Sequence, residues 1–137
     1  MVMQNLENEL YEEIDLVDEN DNVVGFIQRK DLLSNQLFNY RVVNALIVNK
    51  LNKIFIPIRS SLKQSFPNAL DFSVGGHVKR GETYLEAMKR ECIEEVNIDL
   101  NEIRIKELFY LSPYQENISS FMKIWIIFYD HEINYCK

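Results

Sequence analysis

Between Gly75 and Ile98 the chain reads GGHVKRGETYLEAMKRECIEEVNI, and this stretch limits the fold more than any other. Thr83, followed three residues later by Glu86, forms a capping box, which starts a helix by satisfying two backbone donors reciprocally. Leu85, Met88, Cys92 and Val96 recur at i, i+3, i+7 and i+11, the apolar stripe of a helix over 83–96. Asn97 stands where such a helix needs a left-handed cap residue, a conformation that Asn tolerates second to Gly. The same helix gathers Arg90, Glu91, Glu94 and Glu95 within six positions. At about 100° per residue the three glutamates fan out from the edge of the apolar stripe within a sector of about 100°. One face therefore packs, and its border carries a carboxylate cluster. Like-charge neighbours at i,i+4 cost about 0.2–0.5 kcal/mol each, which a solvated acidic face accepts readily. A hard divalent cation is the other reason to build such a cluster. Mg²⁺ takes oxygen ligands and uses a few carboxylates together with substrate phosphates.

Strands are expected around this helix. EEIDLVDENDNVVGFIQRK reads as a hairpin, with one strand over about 12–18, a turn at ENDN and a second strand from Val23. Residues 29–38 are polar and mixed, a short helix or a loop. RVVNALIVNKLNKIFIPIRS reads as a second hairpin with strands over 41–48 and 53–59, both rich in β-branched residues. Residues 61–71 contain Pro67 and no period, so a loop is expected. FSVGGHV is a short strand broken by Gly75 and Gly76, and strands follow at about 103–111 and 121–129. This order implies an α/β fold, a mixed sheet with one long helix against it, in a single domain over 1–137.

Of the 137 residues 47% are apolar, enough for a real core, and the net charge of -6 argues against a binder of nucleic-acid polymers or a basic membrane-surface protein. A small phosphorylated partner is still allowed, because it needs only a local cation. The longest apolar run, Ile124 to Tyr129, is far too short to span a membrane. Two cysteines, Cys92 and Cys136, make no disulfide framework, and the first residues lack the basic and apolar regions of a signal peptide. A cytoplasmic location is the resulting expectation.

From Gly76 the sequence runs Gly, five residues, Glu82, seven residues, then Arg90-Glu91-Cys92-Ile93-Glu94-Glu95-Val96-Asn97-Ile98. This resembles the Nudix box, G-x5-E-x7-R-E-U-x-E-E-x-G-U with U apolar, over residues 76–98. Chance gives so many fixed matches with a probability on the order of 10⁻⁵. Asn97 replaces the last glycine and can serve the same cap, and Cys92 fills an apolar slot as a small buried thiol.

The resemblance implies an α/β/α sandwich with the box as loop–helix–loop. It also implies a Mg²⁺- or Mn²⁺-dependent pyrophosphohydrolase that cleaves a diphosphate bond in a nucleoside diphosphate linked to another group X. By position, Glu91 and Glu95 look like the main metal ligands and Glu94 like a further ligand or the base. The Gly75 carbonyl looks like a metal contact, and Arg90 like the group that orients the carboxylates. Glu82 would anchor the box loop. Arg59, His77 and Lys79 are the candidates for substrate binding, with Lys63 and Arg80 as further positive charge and with packing or solvation as the plainer role of each. Phe109, Tyr110, Tyr114, Phe121 and Trp125 could include a base-stacking ring, although packing accounts for most of them.

VDENDNVVGFIQR, IFIPIRS and ALDFSVGGHV are similar to the branch that includes isopentenyl-diphosphate isomerase and its hydrolase-like relatives. That isomerase chemistry uses a cysteine before the box and a glutamate on a later strand. LDFSVGG has no cysteine, SSFMKIWIIFY has no acid, and Glu116 lies before that strand. A non-catalytic binding module is a further alternative. Nudix domains usually continue past the last strand with a helix, and this sequence runs only to YDHEINYCK, so the C-terminal helix is expected to be missing and a homodimer to cover the sheet.

Overall fold

The computed structural model describes residues 2–63 and 65–136. It begins with a helix that the sequence reading did not place, α1 (Val2–Leu10). The first hairpin follows as β1 (Glu13–Val17) and β2 (Val23–Gln28), paired antiparallel in a register that sets Glu13 opposite Gln28. Asp18 shapes its turn by accepting the amides of Asn20 and Asn22. A short helix, α2 (Arg29–Ser34), leads to the central strand β3 (Arg41–Val48).

The second hairpin is shorter than expected. β4 (Ile54–Phe55) pairs only with Ile47 and Val48. Pro57, which has no N–H for the ladder, stands two residues beyond Phe55, and after it Ile58 forms an isolated bridge with Leu70. The glycine pair corrects the reading in the other direction. β5 (Val74–His77) runs unbroken through Gly75 and Gly76, antiparallel to β3. The glycines serve close approach here, since a Cβ on Gly75 would strike the Asn44 side chain and one on Gly76 the Glu91 carboxylate.

The helix of the box is α3 (Tyr84–Val96). Thr83 and Glu86 form the capping box as read, and Asn97 is left-handed at φ 54°. β6 (Ile105–Leu111) and β7 (Phe121–Phe128) complete a five-stranded mixed sheet in the order β4-β3-β7-β6, with β5 also on β3. β7 lies parallel to β3, and the other pairs are antiparallel.

The core lies between α3 and the sheet. Met88, Cys92 and Val96 are buried against Val43, Ala45, Val74, Trp125 and Ile127. Burying a side chain such as Met88 or Val96 contributes about 1.5–3 kcal/mol. Leu85 departs from the expected stripe: it is 41% exposed, while Ala87, Glu91 and Glu95 are buried on the same face. The helix thus turns Glu91 and Glu95 of its acidic border inward. Residues 129–136 hold no helix. They pack Ile133 and Tyr135 onto the core, and the Cys136 amide donates to the Glu95 carbonyl. No helix among the described residues is long and apolar enough to cross a membrane.

Candidate metal and phosphate cleft

Arg90 is the hub of the site. Its Nε donates to Glu82 Oε1 at 2.6 Å and its Nη2 to Glu82 Oε2 at 3.0 Å. Nη1 donates to Glu91 at 2.7 Å and to Glu94 at 3.3 Å, and Nη2 also reaches the His77 carbonyl at 3.0 Å. Glu82 in turn accepts the Lys79 amide at 2.9 Å. The guanidinium therefore ties the loop before the helix to two of the three clustered carboxylates. Burial alone would weaken its charge, but the bonds to Glu82 and Glu91 outweigh burial and raise its pKa above the ordinary value.

The three glutamates are not equivalent. Glu91 and Glu95 are 9% and 8% exposed, whereas the Glu94 side chain is 52% exposed. Burial is the largest influence on the Glu91 carboxyl and raises its pKa. Arg90 opposes that rise, the charges of Glu95 and Glu94 add to it, and the value settles at about 7. Gly76 makes room for this group, because any side chain there would fall on the Glu91 carboxylate.

Glu91, Glu94 and Glu95 line a cleft of about 70 Å³ with Gly75 and Gly76. Lys63 lies on it as well, as do three residues the sequence reading did not name as site residues, Glu9, Glu12 and Arg29. The hairpin register held a clue to two of them. Pairing Glu13 with Gln28 sets Glu12 beside Arg29, and the Arg29 amide indeed donates to the Glu12 carbonyl.

The candidates for substrate binding are spread out. Lys79 holds Glu12 at 3.0 Å, next to the cleft lining. The His77 ring stacks on Tyr40, and burial, with help from the Arg29 and Arg90 charges, pushes its pKa down to about 3. Arg59 donates to Asp71 at 2.7 Å and to the Ser65 carbonyl, and it is not part of the cleft lining. Glu116 accepts the Ser112 amide within its loop. Of the aromatics, Tyr84 and Tyr110 donate their hydroxyls to Asp21, which also holds Arg41.

The lining suits a hard divalent cation: three carboxylates, all oxygen donors, beside two glycines. Among the described residues no three His, Cys, Asp or Glu side chains already converge as a finished cage. Glu91 and Glu94 turn to Arg90 instead, and a cation would compete for them.

The NUDIX domain family model matches residues 39–134. Over 122 residues the chain is 48% identical to an uncharacterized Nudix hydrolase of Nostoc sp., a span of 89% of this chain and 72% of that protein. The crystal structure of DR0079 from Deinococcus radiodurans has a TM-score of 0.85 at 44% identity, covering 90% of this chain and 76% of that one. An isopentenyl-diphosphate Delta-isomerase of Photorhabdus laumondii is 30% identical over 122 residues, 89% of this chain and 65% of the isomerase. The chain spans about two thirds to three quarters of the length of these three proteins.

Proposed function

The chain belongs to the Nudix hydrolase family, and from that membership and the form of the cleft we propose that it hydrolyses a diphosphate bond in a nucleoside diphosphate linked to another group X. The observation that carries this reading is the unequal burial of the three α3 carboxylates at one glycine-lined cleft. Glu91 and Glu95, with the Gly75 carbonyl, would hold Mg²⁺ or Mn²⁺. A cation so held supplies Lewis-acid chemistry, offsetting the charge of the diphosphate and acidifying water.

Glu94 is exposed and only loosely held by Arg90, so it is free to face the attacking water. In the proposed step a water oxygen bonds to phosphorus while the bridging P–O bond breaks. The bridging electron pair leaves with the departing phosphate, and the water proton passes to Glu94. Arg90 is a positioning residue: pinned at the far side by Glu82, it holds the carboxylates in register. Arg29 and Lys63, which line the cleft, and Lys79, which holds the lining Glu12, would meet phosphate oxygens, and Glu95 would share the duty of Glu91.

The isomerase reading finds little support at the residues. The strand β5 has no thiol, and the buried Ser73 hydroxyl before it is committed to Phe55 and Ile47. The Glu116 carboxylate is committed to its own loop.

The test is chromatographic detection of the cleaved products, phosphomonoesters or inorganic phosphate and pyrophosphate, from nucleotide sugars, nucleoside di- and triphosphates, dinucleoside polyphosphates and coenzymes, with Mg²⁺ and with Mn²⁺. A Glu94→Gln, Glu95→Gln double variant runs beside the wild type. Turnover that falls by roughly 10²-fold or more in the variant is expected. A folded wild type that turns over none of these compounds would overturn the reading.

A further inference from the structure

We propose that Glu9 and Glu12 set the specificity of the cleft by discriminating against substrates in proportion to the negative charge they bring. The inference rests on the reading of the cleft as a diphosphate site. It starts from ion pairs outside the box. Arg29 Nη1 is shared between Glu9 at 3.4 Å and Glu12 at 3.5 Å, and Lys79 Nζ holds Glu12 at 3.0 Å. Glu9, at the end of α1, and Glu12, just before β1, both line the cleft that the α3 carboxylates line.

The consequence is electrostatic. Of the cations proposed to meet phosphate, Arg29 and Lys79 are the two that Glu9 and Glu12 hold. In the free protein their charge is already matched by the two glutamates. The contacts to Arg29 are long, so a phosphate can displace them. The displaced carboxylates stay attached to α1 and to the residue before β1, next to the incoming anion. A compound with one ionised phosphate more therefore meets two fixed negative charges, whereas an uncharged group X meets none. With an effective dielectric intermediate between water and protein interior, two such charges several ångströms away disfavour an added phosphate by roughly tenfold. A nucleoside diphosphate carrying a neutral X is thus favoured over a nucleoside triphosphate, and this preference resides in the N-terminal segment rather than in the box.

The test compares wild type, a Glu9→Gln, Glu12→Gln double variant, and Glu13→Gln. Glu13 pairs with Arg80 on an exposed surface and provides a control for a change of charge away from the cleft. Two readouts are taken with Mg²⁺: kcat/KM for a nucleotide sugar and for a nucleoside triphosphate, and calorimetric Kd for nucleoside di- and triphosphates with methylene in place of every bridging oxygen. The expected result is a rise of roughly tenfold in the triphosphate-to-nucleotide-sugar ratio in the double variant. The Kd ratio should move the same way, and Glu13→Gln should move neither. Equal changes for both charge classes, or no change with binding intact, would overturn the proposal alone. Absence of binding of both analogues to the wild type would overturn the diphosphate reading and this proposal with it.

Discussion

Replacing Glu91 by Gln should make the metal-free protein more stable at alkaline pH, although it removes a charged partner of Arg90. The buried carboxyl titrates at about 7 instead of 4.5. Between these values the folded protein keeps a proton that the unfolded chain has released, so stability falls as pH rises through the window and remains low above it. The full deficit is on the order of 3 kcal/mol. Gln imitates the neutral carboxyl and keeps an oxygen for the Arg90 Nη1 bond, while Glu82 continues to hold the guanidinium through two bonds. Imperfect mimicry leaves a gain of about 1–3 kcal/mol, or roughly 3–10 °C in Tm for a domain of this size. The assay is thermal unfolding followed by circular dichroism, in a chelator, at pH 8 and at pH 4. The variant should melt higher at pH 8 and together with the wild type at pH 4. Millimolar Mg²⁺ should then raise the wild type, because it binds only the folded site, and leave the variant nearly unmoved. A variant less stable than wild type at pH 8 would refute the reasoning, because the Arg90 pair would then outweigh the cost of burying the charge.

Other perturbations separate the parts of the site. Gly76→Ala should displace the Glu91 carboxylate and remove the Mg²⁺ response in thermal unfolding, whereas Gly81→Ala, at φ +80° with open space around it, should cost about 1 kcal/mol and keep that response. Thr83→Ala should lose about 1 kcal/mol of stability from the capping box, read by chemical denaturation, with little change in Kd for Mn²⁺. His77 titrates near 3, so its folded form is neutral where the unfolded chain still binds a proton. Its contribution is complete above pH 6.5 and is lost as pH falls toward 3. His77→Gln should therefore flatten the acid limb of the stability curve. The proton-inventory difference between pH 5 and 7, measured by potentiometry on folded and unfolded protein, checks the sign.

Much of this site was legible in the sequence because local chemistry dictates it. The Thr83–Glu86 box, the Asn97 cap and the spacing of Arg90 and the glutamates depend only on neighbours within α3 and its two caps, and the structure has them as read. The inward turn of Glu91 and Glu95 was not legible. It depends on β5 lying so close that only glycine fits at position 76, a tertiary fact that a helical wheel does not contain. Leu85 was misplaced for the same reason: the helix packs on the flank that carries Ala87 and Glu91, and the first turn is left half-exposed. The cations Arg29 and Lys79 are separated by some fifty residues and meet only through Glu12 and the bridge between Ile14 and Lys79. Reading along the chain named Lys79 as a candidate for substrate binding but gave no sign of Arg29 or of the contact that joins them. The overlong second strand was a misjudged boundary, where β-branched residues outweighed Pro57 in the reading but not in the fold.

If the α3 carboxylates together form a divalent-cation site, a Mn²⁺ titration followed by the electron paramagnetic resonance of the free ion reads it most directly. It would use the wild type and a variant with Glu91, Glu94 and Glu95 all changed to Gln. The account predicts that the wild type depletes the free-ion signal and that the triple variant, still folded by circular dichroism, leaves it as in buffer. Equal depletion by both proteins would contradict it.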